Sequence, residues 1–182
     1  MFDWKREIGG KCEIKRALAI TVVWGYSDYG GSGAPSSGTY VNIFSTGSAF
    51  AALKEDGSIT AWGSSILGVY IASIGGSFYK RDWVPISGTP SSGTYVNIFS
   101  MEGRFVALKE DGSIADWGGV GGSGAPSYGT YVNIFSTCCA FAALKDDGSI
   151  TVWGMGDNAT GDSTHGGSGA PTDGGYTTIV ST

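Results

Sequence analysis

The sequence predicts an all-β protein made of tandem repeats, and two observations carry that reading. A 24-residue unit appears three times: Tyr40–Gly63 reads YVNIFSTGSAFAALKEDGSITAWG, Tyr95–Gly118 reads YVNIFSMEGRFVALKEDGSIADWG, and Tyr131–Gly154 reads YVNIFSTCCAFAALKDDGSITVWG. The first and third copies agree at 20 of 24 positions, the first and second at 17. Glycine supplies 32 of 182 residues, far above the ordinary share of about 7%, and it is set among Val, Ile, Tyr, Phe and Trp. That mixture suits short strands joined by tight turns. Only 5 prolines and no three-residue glycine period exclude collagen.

Each copy reads as three strands. Tyr40–Ser45 is β-branched and aromatic, and is broken by Thr46–Ser48. Ala49–Lys54 is the second strand and Ser58–Trp62 the third. Asp56-Gly57, repeated as Asp111-Gly112 and Asp147-Gly148, joins the last two. Asp and Gly both accept positive φ, so a two-residue type I′ turn is expected. In that register Glu55 faces Ser58, Leu53 faces Thr60 and Ala51 faces Trp62. Alternation is poor: Val41 and Ile43 share a face but Phe44 lies on the other, and Phe50–Leu53 is a continuous apolar run. Such strands are buried on both faces, as in sheets stacked like propeller blades.

The Tyr-to-Trp spacing is 22 in every copy, whereas Trp-to-next-Tyr varies through 16, 33, 14 and 23. The core is therefore the unit and the linkers are loops. They share GGSGAP at Gly30–Pro35, Gly121–Pro126 and Gly166–Pro171. The 14-residue linker leaves little room for a further strand, so units of three, at most four, antiparallel strands are expected. Tyr176–Thr182 matches only a first strand and Ile20–Gly25 only a last one. Pairing 176–182 with 19–25 would make about four units, the last split between the termini, and would protect the sheet edges.

The spaced AL…DG…WG pattern resembles the regulator-of-chromosome-condensation (RCC) repeat. Val41, Ala52, Leu53, Asp56, Gly57, Ile59, Trp62 and Gly63 match it in order, as do their counterparts, over roughly 40–180. The resemblance implies a β-propeller-like fold and action by binding proteins. The family's His is replaced by Ala49, Arg104 and Ala140, and its trailing Gly-Gln-Leu-Gly by GGSGAP, which marks a divergent branch. The family closes seven blades and this chain offers four at most. A closed ring of four, an arc completed by self-association or another chain, and an open stack all remain compatible.

The net charge is −5, and five of the 11 basic residues fall in the charged segment 1–18. The repeat domain, 19–182, is thus acidic, which argues against a nucleic-acid partner. No apolar run has the length of a membrane span. Ala17–Trp24 loosely resembles a signal-peptide core but fits the repeat better. Cys12, Cys138 and Cys139 are an odd set, not a disulfide framework. They read as buried small apolar residues, with a bridge from Cys12 to one of the pair as the alternative. Adjacent cysteines seldom bond, because that ring is strained.

Catalytic signatures are missing. His165, the only histidine, lies in a polar linker without a triad pattern. The acid pairs Glu55-Asp56, Glu110-Asp111 and Asp146-Asp147 recur at turns, which marks a turn requirement. Asp157–Asp162 carries oxygen ligands without EF-hand spacing, and Asn158-Ala159-Thr160 is a glycosylation sequon. No cofactor, no metal site and no enzyme activity are expected.

The expectation is a protein-interaction module or accessory subunit, with a glycan-binding adhesion module as the alternative. Binding residues are sought where the copies differ. The 64–94 insertion carries Tyr70, Phe78, Tyr79, Lys80, Arg81 and Trp83, an apolar, aromatic patch with a basic edge in which Tyr, Trp and Arg are typical interface anchors. Arg104, which replaces the alanine of the other copies, joins them, and segment 1–18 is a second candidate contact.

Overall fold

The computed structural model describes residues 26–27, 30–73, 76–119, 124–154 and 169–180, and within 65–84 the backbone only. Segment 1–18, the expected last strand at 19–25, Asp157–Asp162, Asn158 and His165 lie outside the described residues.

Among the described residues ten strands follow in order: β1 (Tyr40–Ser45), β2 (Ala49–Lys54), β3 (Ile59–Ser73), β4 (Gly76–Pro85), β5 (Tyr95–Met101), β6 (Arg104–Lys109), β7 (Ile114–Gly118), β8 (Tyr131–Ser136), β9 (Ala140–Lys145) and β10 (Ile150–Gly154). They form three antiparallel meanders, β1-β2-β3, β5-β6-β7 and β8-β9-β10, with β4 added to the first. Each meander is one sequence copy, and the protein is all-β and propeller-like.

The Asp-Gly turn differs from its expectation. Leu53 pairs with Ile59, Ala52 with Thr60, Ala51 with Ala61 and Phe50 with Trp62, one residue out of the type I′ register. Gly57 N donates to Lys54 O at 3.0 Å, and Gly57 has φ +78°. This is a three-residue loop, a type I turn followed by a left-handed glycine. Its register places Phe50 opposite Trp62, and their rings stack at 5.4 Å. Phe105–Trp117 at 5.3 Å and Phe141–Trp153 at 5.5 Å repeat the pair.

The first strands carry a second irregularity. Tyr40 pairs with Lys54 but Asn42 with Leu53, so Val41 is the extra residue of a β-bulge; Val96 and Val132 repeat it. The Asn42 amide oxygen accepts from Ile43 N at 2.9 Å, as Asn97 and Asn133 do from the residues that follow them. The bulge breaks alternation, which is why Val41 is not in phase with Ile43.

The core lies between the blades. Ala49, Ala51, Leu53 and Ile59 of the first blade pack on Tyr95, Ile98, Phe105, Ala107 and Trp117 of the second. Met101, Val106 and Leu108 of the second pack on Tyr131, Ile134, Phe141, Ala143 and Trp153 of the third. The middle blade is thus buried on both faces, the arrangement that the poor alternation called for.

The same Asp-Gly turns tie one blade to the next. Tyr95 N donates to Gly57 O at 2.9 Å, Tyr131 N to Gly112 O at 2.8 Å and Tyr176 N to Gly148 O at 3.1 Å. A Cβ on Gly57 would lie 2.6 Å from Thr94 Cγ2 and 3.0 Å from Tyr95 N. Glycine is needed there for close approach as well as for φ. Tyr176 is thus tied to the third blade as Tyr95 and Tyr131 are to the blades before them, but residues 174–180 carry no strand.

The constant unit also extends upstream of Tyr40. Gly33, Gly88 and Gly124 all have positive φ, and a Cβ on each would lie 3.6–3.7 Å from the Cβ of Trp62, Trp117 and Trp153 respectively. Residues 87–94 (SGTPSSGT) are therefore the counterpart of 32–39 (SGAPSSGT), and what is peculiar to the 64–94 linker is 64–86.

Candidate functional site

The linker between the first two blades forms a long ribbon. Strand β3 runs on past Gly63, where the equivalent β7 stops, and pairs with β4 from Ser64↔Pro85 to Ser73↔Gly76. Ten register pairs at about 3.3 Å per residue give a ribbon roughly 33 Å long. Its base is anchored by Ser64 N donating to Ser48 O and Ile86 N donating to Gly63 O, both at 2.9 Å.

The ribbon brings the predicted contact residues to neighbouring register positions. Tyr70 pairs with Tyr79, Ile71 with Phe78, Val69 with Lys80, Gly68 with Arg81 and Ile66 with Trp83. The pleat's two-residue period sorts these positions. Positions 66, 70, 79, 81 and 83 share one row, and positions 71, 78 and 80 the other.

Arg104 is not among them. Its side chain is 8% exposed and donates from one Nη to both carboxylate oxygens of Asp116, at 2.9 and 3.1 Å. Asp116 is 3% exposed, and burial raises its pKa while Arg104 opposes that rise. The other copies hold Ala49 with Ala61, and Ala140 with Val152, so the pair varies together. Gly119 completes the substitution, because a Cβ there would lie 2.6 Å from Arg104 Cγ. Arg104 is an interior residue, where its singular identity had suggested an exposed contact. The Trp153 indole lies near enough to favour the Asp116 carboxylate, yet its N–H, like those of Trp62 and Trp117, is buried outside hydrogen-bond geometry.

Two features escaped the sequence reading. Val41, Val96 and Val132 are 48%, 52% and 52% exposed on the first strands, which neighbour one another from blade to blade. The first strands are expected from sequence to be buried on both faces, and the bulge turns these valines outward. Cys138 is exposed and Cys139 partly so, both free thiols, where burial was expected. The Cys12 alternative lies outside the described residues.

Stacked three-stranded units tied by Asp-Gly turns define the class: a propeller-type tandem-repeat protein. No protein-family model matches the chain, and no curated protein matches it. Among solved structures it is similar to the CRINKLY WD40 ectodomain of the Arabidopsis thaliana receptor kinase ACR4, at 15% identity and TM-score 0.46, over 65% of this chain and 37% of that one. Human WBSCR16 gives 16% and 0.45 over 65% and 34%. Prp20p of Saccharomyces cerevisiae, described with its binding to Gsp1p and histones, gives 16% and 0.42 over 64% and 33%. The chain spans about a third of the length of each. Among the described residues no helix is long and apolar enough to cross a membrane.

Proposed function

We propose that this chain is a non-catalytic protein-interaction module of the RCC-like repeat lineage, an accessory part of a larger assembly, and that ribbon β3–β4 is its contact arm. The ribbon carries the reading. Among the described residues every other strand belongs to a repeat meander, whereas 64–86 adds ten paired positions beyond the first one. Tyr, Trp and Arg, the types enriched in interface hot spots, fall at Tyr70, Tyr79, Arg81 and Trp83 in one row, with Phe78 and Lys80 in the other.

The test is excision. Ser65 and Val84 are cross-strand partners, so replacing 66–83 by Asn-Gly leaves a two-residue hairpin joint. Affinity capture and cross-linking then compare the intact and excised chains. A partner cross-linked to the ribbon and lost with it supports the reading. A partner kept after excision removes the ribbon from it, and glycan-array binding unaffected by excision replaces it with the adhesion reading. Native mass, measured on both forms, shows whether the partner is a second copy.

A further inference from the structure

We propose that Cys138 and Cys139 form a vicinal dithiol site that reacts reversibly with small-molecule disulfides, closing to a cystine ring that loosens the contact between the second and third blades. The pair occupies the corner between β8 and β9, with the two Sγ atoms 2.9 Å apart. Cys138 is open to solvent and Cys139 is partly so, which gives a soluble disulfide access.

The corner does not need sulfur for its shape. Thr137 Oγ1 accepts from Cys139 N at 3.4 Å and Ala140 N at 3.1 Å, as Thr46 does in the first copy at 3.3 and 3.0 Å. There the equivalent residues are Gly47-Ser48, and in the second copy Glu102-Gly103. The dithiol is an addition to a corner that folds without it.

The exchange balances as follows. The Cys138 thiolate attacks one sulfur of the small disulfide and expels a thiolate, which takes up a proton. The Cys139 thiolate then attacks Cys138 Sγ and expels the second small thiol. Two protein thiols are oxidised, and one disulfide is reduced to two thiols. The Cys139 pKa is pushed up to about 11, first by Cys138, then by partial burial, with Glu102 adding to it. Capping Cys138 removes the first of these causes, which eases ionisation of the resolving thiol after the first step.

Closure has a structural consequence. Cα atoms across one peptide are about 3.8 Å apart, short of the roughly 4.4–6.8 Å that disulfides usually span. The ring therefore strains the 138–139 peptide, and strained disulfides are the easily reduced, labile ones. The carbonyl of that peptide accepts the Glu102 N–H of the second blade at 3.0 Å. The strain falls on an inter-blade hydrogen bond.

The experiment equilibrates the full chain and its Cys12→Ser variant in reduced and oxidised glutathione mixtures. Acid quench, thiol blocking and peptide mapping follow. An internal disulfide within the 138–139 peptide is expected in both proteins, reversed by dithiothreitol. Retention on immobilised phenylarsine oxide, which bridges paired thiols, should be lost on oxidation and in Cys138→Ser or Cys139→Ser. Hydrogen exchange at Glu102 should speed several-fold on oxidation, and the Cys138→Gly/Cys139→Ser variant, with the first copy's residues, should not respond. A stable glutathione adduct without closure, a bridge to Cys12, or persistent free thiols would each overturn the site. Unchanged Glu102 exchange would overturn the link to the blade contact.

Discussion

At the residue scale, the Arg104–Asp116 pair separates burial from usefulness. Removing one partner of a buried ion pair costs about 3–5 kcal/mol, because the other charge is stranded, whereas apolar replacement of both is often neutral or stabilising. The third copy supplies the replacement, Ala140 with Val152. Arg104→Ala should therefore lose about 3–5 kcal/mol in urea unfolding, and Arg104→Ala/Asp116→Val should recover most of it. A double variant as unstable as the single would refute this account. The turn acids behave oppositely to Asp116. Asp56, Asp111 and Asp147 lie below the ordinary 3.8, held there by the hydroxyl and then the amide of Ser58, Ser113 and Ser149. Their contribution to stability is full above the unfolded value and lost as pH falls through the depressed folded value. Asp116 is raised, so its contribution is greatest in acid and declines as pH rises through its folded pKa. Ser113→Ala should bring the Asp111 carboxyl up toward 3.8 in an NMR titration and leave Asp147 alone.

At the element scale, glycines that look alike in sequence have different duties. Gly57 is left-handed and touches the next blade, whereas a Cβ on exposed Gly47 would meet nothing within 4 Å. Gly57→Ala should lose about 1–3 kcal/mol of stability. Gly47→Ala should be neutral or gain about 0.4–1 kcal/mol, since alanine restricts the unfolded chain. Calorimetry on the two variants measures the contrast. The ribbon is an appendage by the same logic. Its base bonds use Ser64 and Ile86, both outside the excised 66–83, so excision should leave the melting temperature within a few degrees of the parent. A large drop would show that the ribbon braces the first blade instead of extending from it. The third strand and the Asp-Gly loop were legible in sequence, yet the loop register was not. Asp-Gly serves both a two-residue turn and a three-residue loop, and the choice is made by stacking Phe50 on Trp62.

At the scale of the whole molecule, stability is shared between neighbouring repeats. The Phe–Trp stack occurs in every blade, but Phe105 is fully buried between blades while Phe50 is half-buried on the outer side of the first. Phe105→Ala should cost about 3–5 kcal/mol, and Phe50→Ala clearly less, in chemical denaturation of the two variants. Equal losses would mean that the stack within a blade outweighs the packing between blades.

From the chain alone follow the repeat, its three strands, the turn residues and the insertion, because period, β-propensity and turn chemistry are local properties. Tertiary contact decided the rest. The glycine of each Asp-Gly turn is held by the segment that follows its blade, Val41 is turned out by a bulge, and Arg104 is drawn in by a carboxylate twelve residues away. None of these can be read from one strand, since each depends on what a neighbouring strand or blade leaves room for. The expected closure between 19–25 and 176–182 is of that kind too, and its first half lies outside the described residues. The same division applies to the candidate site: composition singled out Tyr70–Trp83 as candidates, and only strand pairing places them on one ribbon.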